Sequence, residues 1–201
     1  MNAPDLVGAV TEGSTLLVVA LRQEAVHLAV EHPVLVTGVG KLRAGIAVTT
    51  ALASGPRPAA IVNVGTAGAL REGLEGTHEV RRVLQHDYDD ESLAAITGRH
   101  DGPPLDLDPD TDTTDTGTGG LVLATGDRFV AGGEVRDRLA GVADLVDMEG
   151  YAVAAAARGF GVPVRLVKHV SDTADESAGQ TWADGVDACA RLLAEWVHEH
   201  V

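Results

Sequence analysis

The chain has 201 residues, 45% hydrophobic but only 3% aromatic, and its 30 acids against 15 bases give a formal net charge of −15. That length suits a single domain with a sizeable core, built here from Ala, Val and Leu, and the acidic balance disfavours nucleic acid and anionic membranes as partners. One cysteine, Cys189, excludes an internal disulfide, and no apolar run reaches the roughly 18 residues of a membrane span. The first residues lack the basic start and apolar segment of a signal peptide, so a cytoplasmic protein is expected.

Residues 15–20 form a continuous apolar run, the pattern of a buried strand. Residues 22–31 read as a helix, and 33–40 as a strand ending in Gly38 and Gly40. A helix over 42–53 is stopped by Ser54, Gly55 and Pro56. Residues 59–65 read as a third strand, closed by a turn at Thr66, Ala67 and Gly68. Residues 101–120, rich in Asp, Thr and Gly, predict a flexible acidic loop. Its acids lack the EF-hand spacing and closing Glu, so calcium is not expected. A strand over 120–127, a helix over 148–158, a strand over 162–170 and a helix from Gly179 onward complete the pattern. Strands alternating with helices predict an α/β protein, a sheet covered on both faces in a single domain. Sites in such sheets lie at the carboxyl ends of strands.

The turn Gly38-Val39-Gly40-Lys41 is followed by Gly45, which fits neither the dinucleotide fingerprint nor a phosphate-binding loop. Its glycines read instead as allowing close approach to a small ligand. The eight histidines form no HExxH and no Cys/His cluster, so neither metal nor cofactor is expected. Ser171 has no histidine placed by sequence as its base, so a serine triad is not supported. Three acids remain near strand ends: Glu24, Glu149 and Asp172. Singly, each reads as a solvated acid, or for Glu24 as a first-turn residue favouring the helix dipole. Glu149 and Asp172 together, presented from the ends of core elements, suit cleavage of a polar bond.

Five segments then occur in a telling order. They are Ala20 to Glu24, Gly38 to Lys41, Asn63 to Gly68, Thr125 to Val130, and Asp147-Met148-Glu149 with Ser171-Asp172. This ordered set resembles the nucleoside phosphorylase/nucleosidase family, in its hydrolytic branch of methylthioadenosine/S-adenosylhomocysteine nucleosidases. The likeness spans about residues 15–85 and 120–195. It implies a three-layer α/β/α phosphorylase-like fold with a mixed central sheet, a homodimer, and a small-molecule nucleoside substrate. It further implies that Asp172 bonds purine N7 and helps protonate the departing base, while Glu24 orients and deprotonates the attacking water. Glu149 would grip the ribose hydroxyls, with Met148 packing on the sugar. Phe129 would stack on the base, Val130 would offer it backbone hydrogen bonds, and Thr66 and Ala67 would line the site. Ser171, beside Asp172, joins the substrate-binding set.

Phosphorylases of this family grip phosphate with paired arginines. Here Asn63 occupies one such position, and only Arg22 and Arg128 remain to reach an anion. Paired cationic donors are the usual basis of phosphate recognition, so hydrolysis is the expected reaction. A phosphate-dependent purine nucleoside phosphorylase and a catalytically silent nucleoside-binding protein stay open as alternatives. Residues 86–120 depart from the family, with Tyr88 as their one aromatic ring. The 5′ group of the substrate is therefore open between a thioether and a futalosine-type substituent.

Overall fold

The computed structural model describes residues 5–28, 31–107 and 120–201. Strand β2 (Thr15–Val19) sets the architecture. Leu16 and Val18 point to one face and Leu17 and Val19 to the other, and all four are fully buried. A strand apolar on both sides needs cover on both sides. Helices α2 (Lys41–Ser54) and α5 (Gly150–Gly159) cover the first face, with Ala44, Ala47, Val48, Val153 and Ala157 packing on Leu16, Val18 and Ile61. Helix α6 (Ala178–His200) covers the second through Leu193 and Val197. The small alanines let helices sit close to the sheet, so a dense core forms without aromatic rings.

Beside β2 run β3 (Val34–Val36) and β4 (Ala60–Ala69), both parallel to it, and β1 (Asp5–Val7) caps the edge antiparallel to β3. Beyond β4 the sheet curls. Strand β9 (Val164–Asp172) is parallel to β4 and antiparallel to β5 (Thr77–Gln85). Strand β7 (Leu121–Thr125) is parallel to β5, and β8 (Leu145–Asp147) is parallel to β7 and antiparallel to β4. The sheet is thus mixed, as expected, and β4, β9, β5, β7 and β8 close into a ring with no free edge. Alternation along these strands places Leu123 and Leu145 against Tyr151 of α5, while Ala124 and Val146 meet Leu139 of α4 (Gly133–Ala140).

Several boundaries differ from the sequence reading. The helix expected over 22–31 is a single turn, α1 (Arg22–Ala25), held by its packing against α6 because so short a helix gains little from its own hydrogen bonds. The expected turn at Thr66–Gly68 belongs to β4, which continues to Ala69 because β8 and β9 pair with it there. Strand β5 shows no period of two in the sequence because its ladder to β7 is irregular between Val80 and Arg82. Its buried Val80 and Val83 are therefore three residues apart rather than two. Strand β8 and helices α3 (Asp90–Thr97) and α4 likewise leave no clear pattern in the sequence, being short or weakly periodic. Most of the acidic loop, residues 108–119, lies outside the described residues. Before it, Leu105–Asp106 pair with β5 as edge strand β6. No helix among the described residues is long and apolar enough to cross a membrane.

Candidate active site

The carboxyl ends of β2, β9 and β8 open into one cavity of about 260 Å³. Glu24 enters it from α1 and is only 3% exposed. Its Oε2 accepts the Ala20 and Leu21 N–H groups at 3.1 and 3.0 Å, and its Oε1 accepts the Thr66 N–H at 3.1 Å and the Thr66 hydroxyl at 3.4 Å. The reach back to Leu21 is half of a capping box. The second oxygen, however, crosses to β4, so the carboxylate is fixed by four donors from two elements.

Asp172 ends β9. The β4–β9 ladder pairs Ala67 with Val170 and Gly68 with Asp172, so Ser171 is an extra, bulged residue. In regular strand, neighbours face opposite sides; the bulge re-aims the chain so that Ser171 and Asp172 both line the cavity. The Ser171 hydroxyl donates to Asp172 Oδ2 at 2.8 Å, and the Ala174 N–H donates to Asp172 Oδ1 at 2.8 Å.

Glu149 stands at the N-cap of α5 and accepts the Gly40 N–H at 2.8 Å. Burial pushes its carboxyl up to about 8, helped by the nearby Asp147 charge and opposed by Lys168 and the Gly40 N–H. Asp147 and Lys168 form an ion pair at 2.9 Å with side chains 1% and 2% exposed. Lys168 also donates to Asn63 Oδ1 at 2.9 Å, and Asp147 accepts the Thr125 hydroxyl and the Gly150 N–H. Burial works to lower the Lys168 pKa, but the charges of Asp147, Glu149 and Glu24 outweigh it and the net direction is up. Gly65 lies between two of these groups: a Cβ there would sit 3.3 Å from Glu24 Oε1 and 3.5 Å from Lys168 Nζ. The cavity floor thus gathers three buried carboxyl groups, those of Glu24, Asp147 and Glu149, around one ammonium.

Phe129, half exposed, and buried Val130 also line the cavity, as does Met148 next to Glu149 in the chain. All nine residues singled out from the sequence, Glu24, Thr66, Ala67, Phe129, Val130, Met148, Glu149, Ser171 and Asp172, line this cavity. Arg128 lines it too, whereas Arg22 pairs with Asp5 on β1 and does not. No cluster of metal-ligating side chains occurs among the described residues.

The profile of the phosphorylase superfamily matches residues 116–199. The 5′-methylthioadenosine/S-adenosylhomocysteine nucleosidase of Actinobacillus succinogenes is 31% identical over 184 residues, covering 80% of this chain and 76% of that protein. The chain belongs to the nucleoside phosphorylase/nucleosidase family. An aminodeoxyfutalosine nucleosidase of Helicobacter pylori is 35% identical over 82 residues, 40% of this chain and 36% of that one. Among solved structures, the S-adenosylhomocysteine nucleosidase of Streptococcus pyogenes, in complex with 5-methylthiotubericidin, superposes with a TM-score of 0.73 at 25% identity, covering 94% of this chain and 96% of that chain.

Within this family framework, sequence reasoning had passed over Lys168 and Trp182. Lys168 carried one usable signal, a charge directly after the apolar Leu166 and Val167 in β9. Trp182 lines the cavity from α6 and donates its indole N–H to the Thr66 hydroxyl at 3.0 Å. Nothing local in α6 marked it out from Trp196, which stacks on His200.

Proposed function

We propose that this protein is a purine nucleosidase, hydrolysing the N-glycosidic bond of a purine nucleoside to free base and ribose sugar. The observation that carries the choice of hydrolysis is the seat of Glu24. Two N–H groups at the end of β2, with the N–H and hydroxyl of Thr66, make a cradle for an oxyanion. The protein fills that cradle with its own carboxylate. An incoming phosphate would meet a negative charge where it needs donors, whereas a water molecule beside Glu24 meets a base. The family membership and the nucleosidases among its relatives support the same reading.

In this reading Asp172 delivers a proton toward purine N7, so that the base departs neutral. The sugar passes through a cationic, oxocarbenium-like state. Glu149 grips its hydroxyls, and positive charge developing there favours the ionised form of a carboxyl that burial otherwise keeps protonated. Stabilisation is then strongest in the transition state, which is what accelerates a reaction. Phe129 stacks on the base, Val130 offers it backbone hydrogen bonds, Met148 packs on the sugar, and Thr66, Ala67 and Ser171 complete the lining. The 5′ group is methylthioadenosine- or S-adenosylhomocysteine-like, or futalosine-type. We also read the enzyme as a cytoplasmic homodimer. Val39, Leu42, Ile46 and Phe129 support the dimer: each exposes more than two fifths of its surface, Val39 and Phe129 at the cavity and Leu42 and Ile46 one turn apart on α2.

The test is base release from methylthioadenosine, S-adenosylhomocysteine, adenosine, inosine and futalosine, each with and without phosphate. Free base and free ribose sugar without phosphate are expected from at least one of them. Release only with phosphate would make the protein a phosphorylase, and no release from any would leave a silent nucleoside-binding protein.

A further inference from the structure

Lys41, Asp87 and Asp127 are not among the residues lining the cavity, yet they are bound to one another, and Lys41 and Asp127 are next in the chain to residues that touch it or line it. The Lys41 N–H donates to Asp127 Oδ1 at 2.7 Å, and the Asp127 N–H donates to Asp87 Oδ2 at 2.8 Å. The Lys41 ammonium then returns to Asp87 Oδ1 and also reaches Gln85 Oε1 at 2.9 Å. The result is a closed loop of hydrogen bonds joining the start of α2, the turn after β5 and the turn after β7. Lys41 and Asp87 keep 17% and 28% of their side chains exposed, so water screens their attraction only in part.

Two members of this loop, Lys41 and Asp127, are each one residue from the site. Gly40, before Lys41, donates its N–H to Glu149. Arg128, Phe129 and Val130, after Asp127, line the same cavity as Glu149. Gly40 has φ +100, and a Cβ there would lie 3.0 Å from Asp127 Oδ1. Only a glycine both adopts that backbone and lets the carboxylate close over it. The peptide N–H groups of Gly40 and Lys41 are therefore divided between two acids, Glu149 inside the cavity and Asp127 outside it.

We infer that Asp127, bridging Lys41 and Asp87, is a positioning residue that sets the Glu149 wall and the Phe129 wall at a fixed separation; this rests on the nucleosidase reading above. Phe129 stacks on the base in the ground state as in the transition state, and Gly40 keeps its own hydrogen bond to Glu149 when the Asp127 side chain is lost. Loosening the gap between Phe129 and Glu149 therefore weakens substrate binding more than it slows chemistry.

The experiment is steady-state kinetics of the full chain, the parent against Asp127→Ala and Asp127→Asn, on the nucleoside the parent cleaves with the highest kcat/KM. In Asp127→Ala we expect KM to rise about tenfold while kcat changes less than about threefold. Asn keeps an acceptor for the Lys41 N–H, so Asp127→Asn should hold KM within about threefold of the parent. Asp87→Asn, which drops the charge facing Lys41, is the second variant should Asp127→Ala not fold, and a KM rise of about threefold is expected for it. A parent-like KM in Asp127→Ala (or in Asp87→Asn should Asp127→Ala not fold), a loss confined to kcat, or Asp127→Asn as impaired as Asp127→Ala would overturn the inference alone. A parent that releases no base from any nucleoside would overturn the nucleosidase reading, and this inference with it.

Discussion

Two ion pairs in this molecule have the same length and opposite surroundings. Lys168 and Asp147 meet at 2.9 Å with side chains 2% and 1% exposed, and Arg191 and Asp187 meet at 2.9 Å with side chains 64% and 62% exposed. At the surface of α6, water already solvates both charges and their attraction decides little. At the cavity floor, each charge is almost wholly buried and depends on its partner and on hydrogen bonds, Asp147 accepting from Thr125 and Gly150 and Lys168 donating to Asn63. Glu24 and Glu149 share that dry region. A chain with twice as many acids as bases thus places its most deeply buried acids, Glu24, Asp147 and Glu149, at the cavity.

The largest effect should come from removing a cavity acid. Asp172→Asn and Glu24→Ala should each lower kcat by about 10²–10⁴, while Asp187→Asn leaves base release unchanged. Single-turnover assays on the three variants would show it, and near-normal turnover in either cavity variant rejects its assigned role.

Breaking the buried pair comes next. Lys168→Met strands Asp147 without its cation and should destabilise the fold by about 3–5 kcal/mol in urea unfolding. A loss below about 1 kcal/mol would mean that water reaches the pair. A smaller effect, with a definite sign, concerns Glu149. Its folded pKa of about 8 lies above the unfolded value of 4.5, so the folded state keeps a proton that the unfolded chain releases. Stability from this group is complete below about pH 4.5 and falls as pH rises toward about 8. Glu149→Gln carries no such proton, so its Tm relative to the parent should climb between pH 5 and pH 8; a constant difference would contradict the raised pKa. Smallest of all, Arg191→Ala should change stability by about 0.5 kcal/mol or less.

Much of the fold was legible because its cause is local. The uninterrupted apolar run of β2 demanded a doubly covered strand, and glycines after β3 marked a turn near the site. What stayed hidden was β5, whose irregular ladder to β7 breaks the period of two, and β8, three residues long. The site shows the same division. Glu24, Glu149 and Asp172 stood out as acids near strand ends, but the hydroxyl-bonded Trp182 did not, since its partner Thr66 lies 116 residues away.

By itself the sequence determined an α/β class, through its hydrophobic periodicity, and nine of the residues that line the cavity, through the order of its motifs, but not Lys168 or Trp182. The tertiary structure alone decided the closed ring of strands, the bulge that turns Ser171 and Asp172 to the same side, the Lys168–Asp147 pair and the Asp127 clamp. Each depends on the register of strands or on contacts between distant segments, such as the 109 residues between Gly40 and Glu149. Such contacts form only when burial of the core brings those segments together, and no local pattern encodes them.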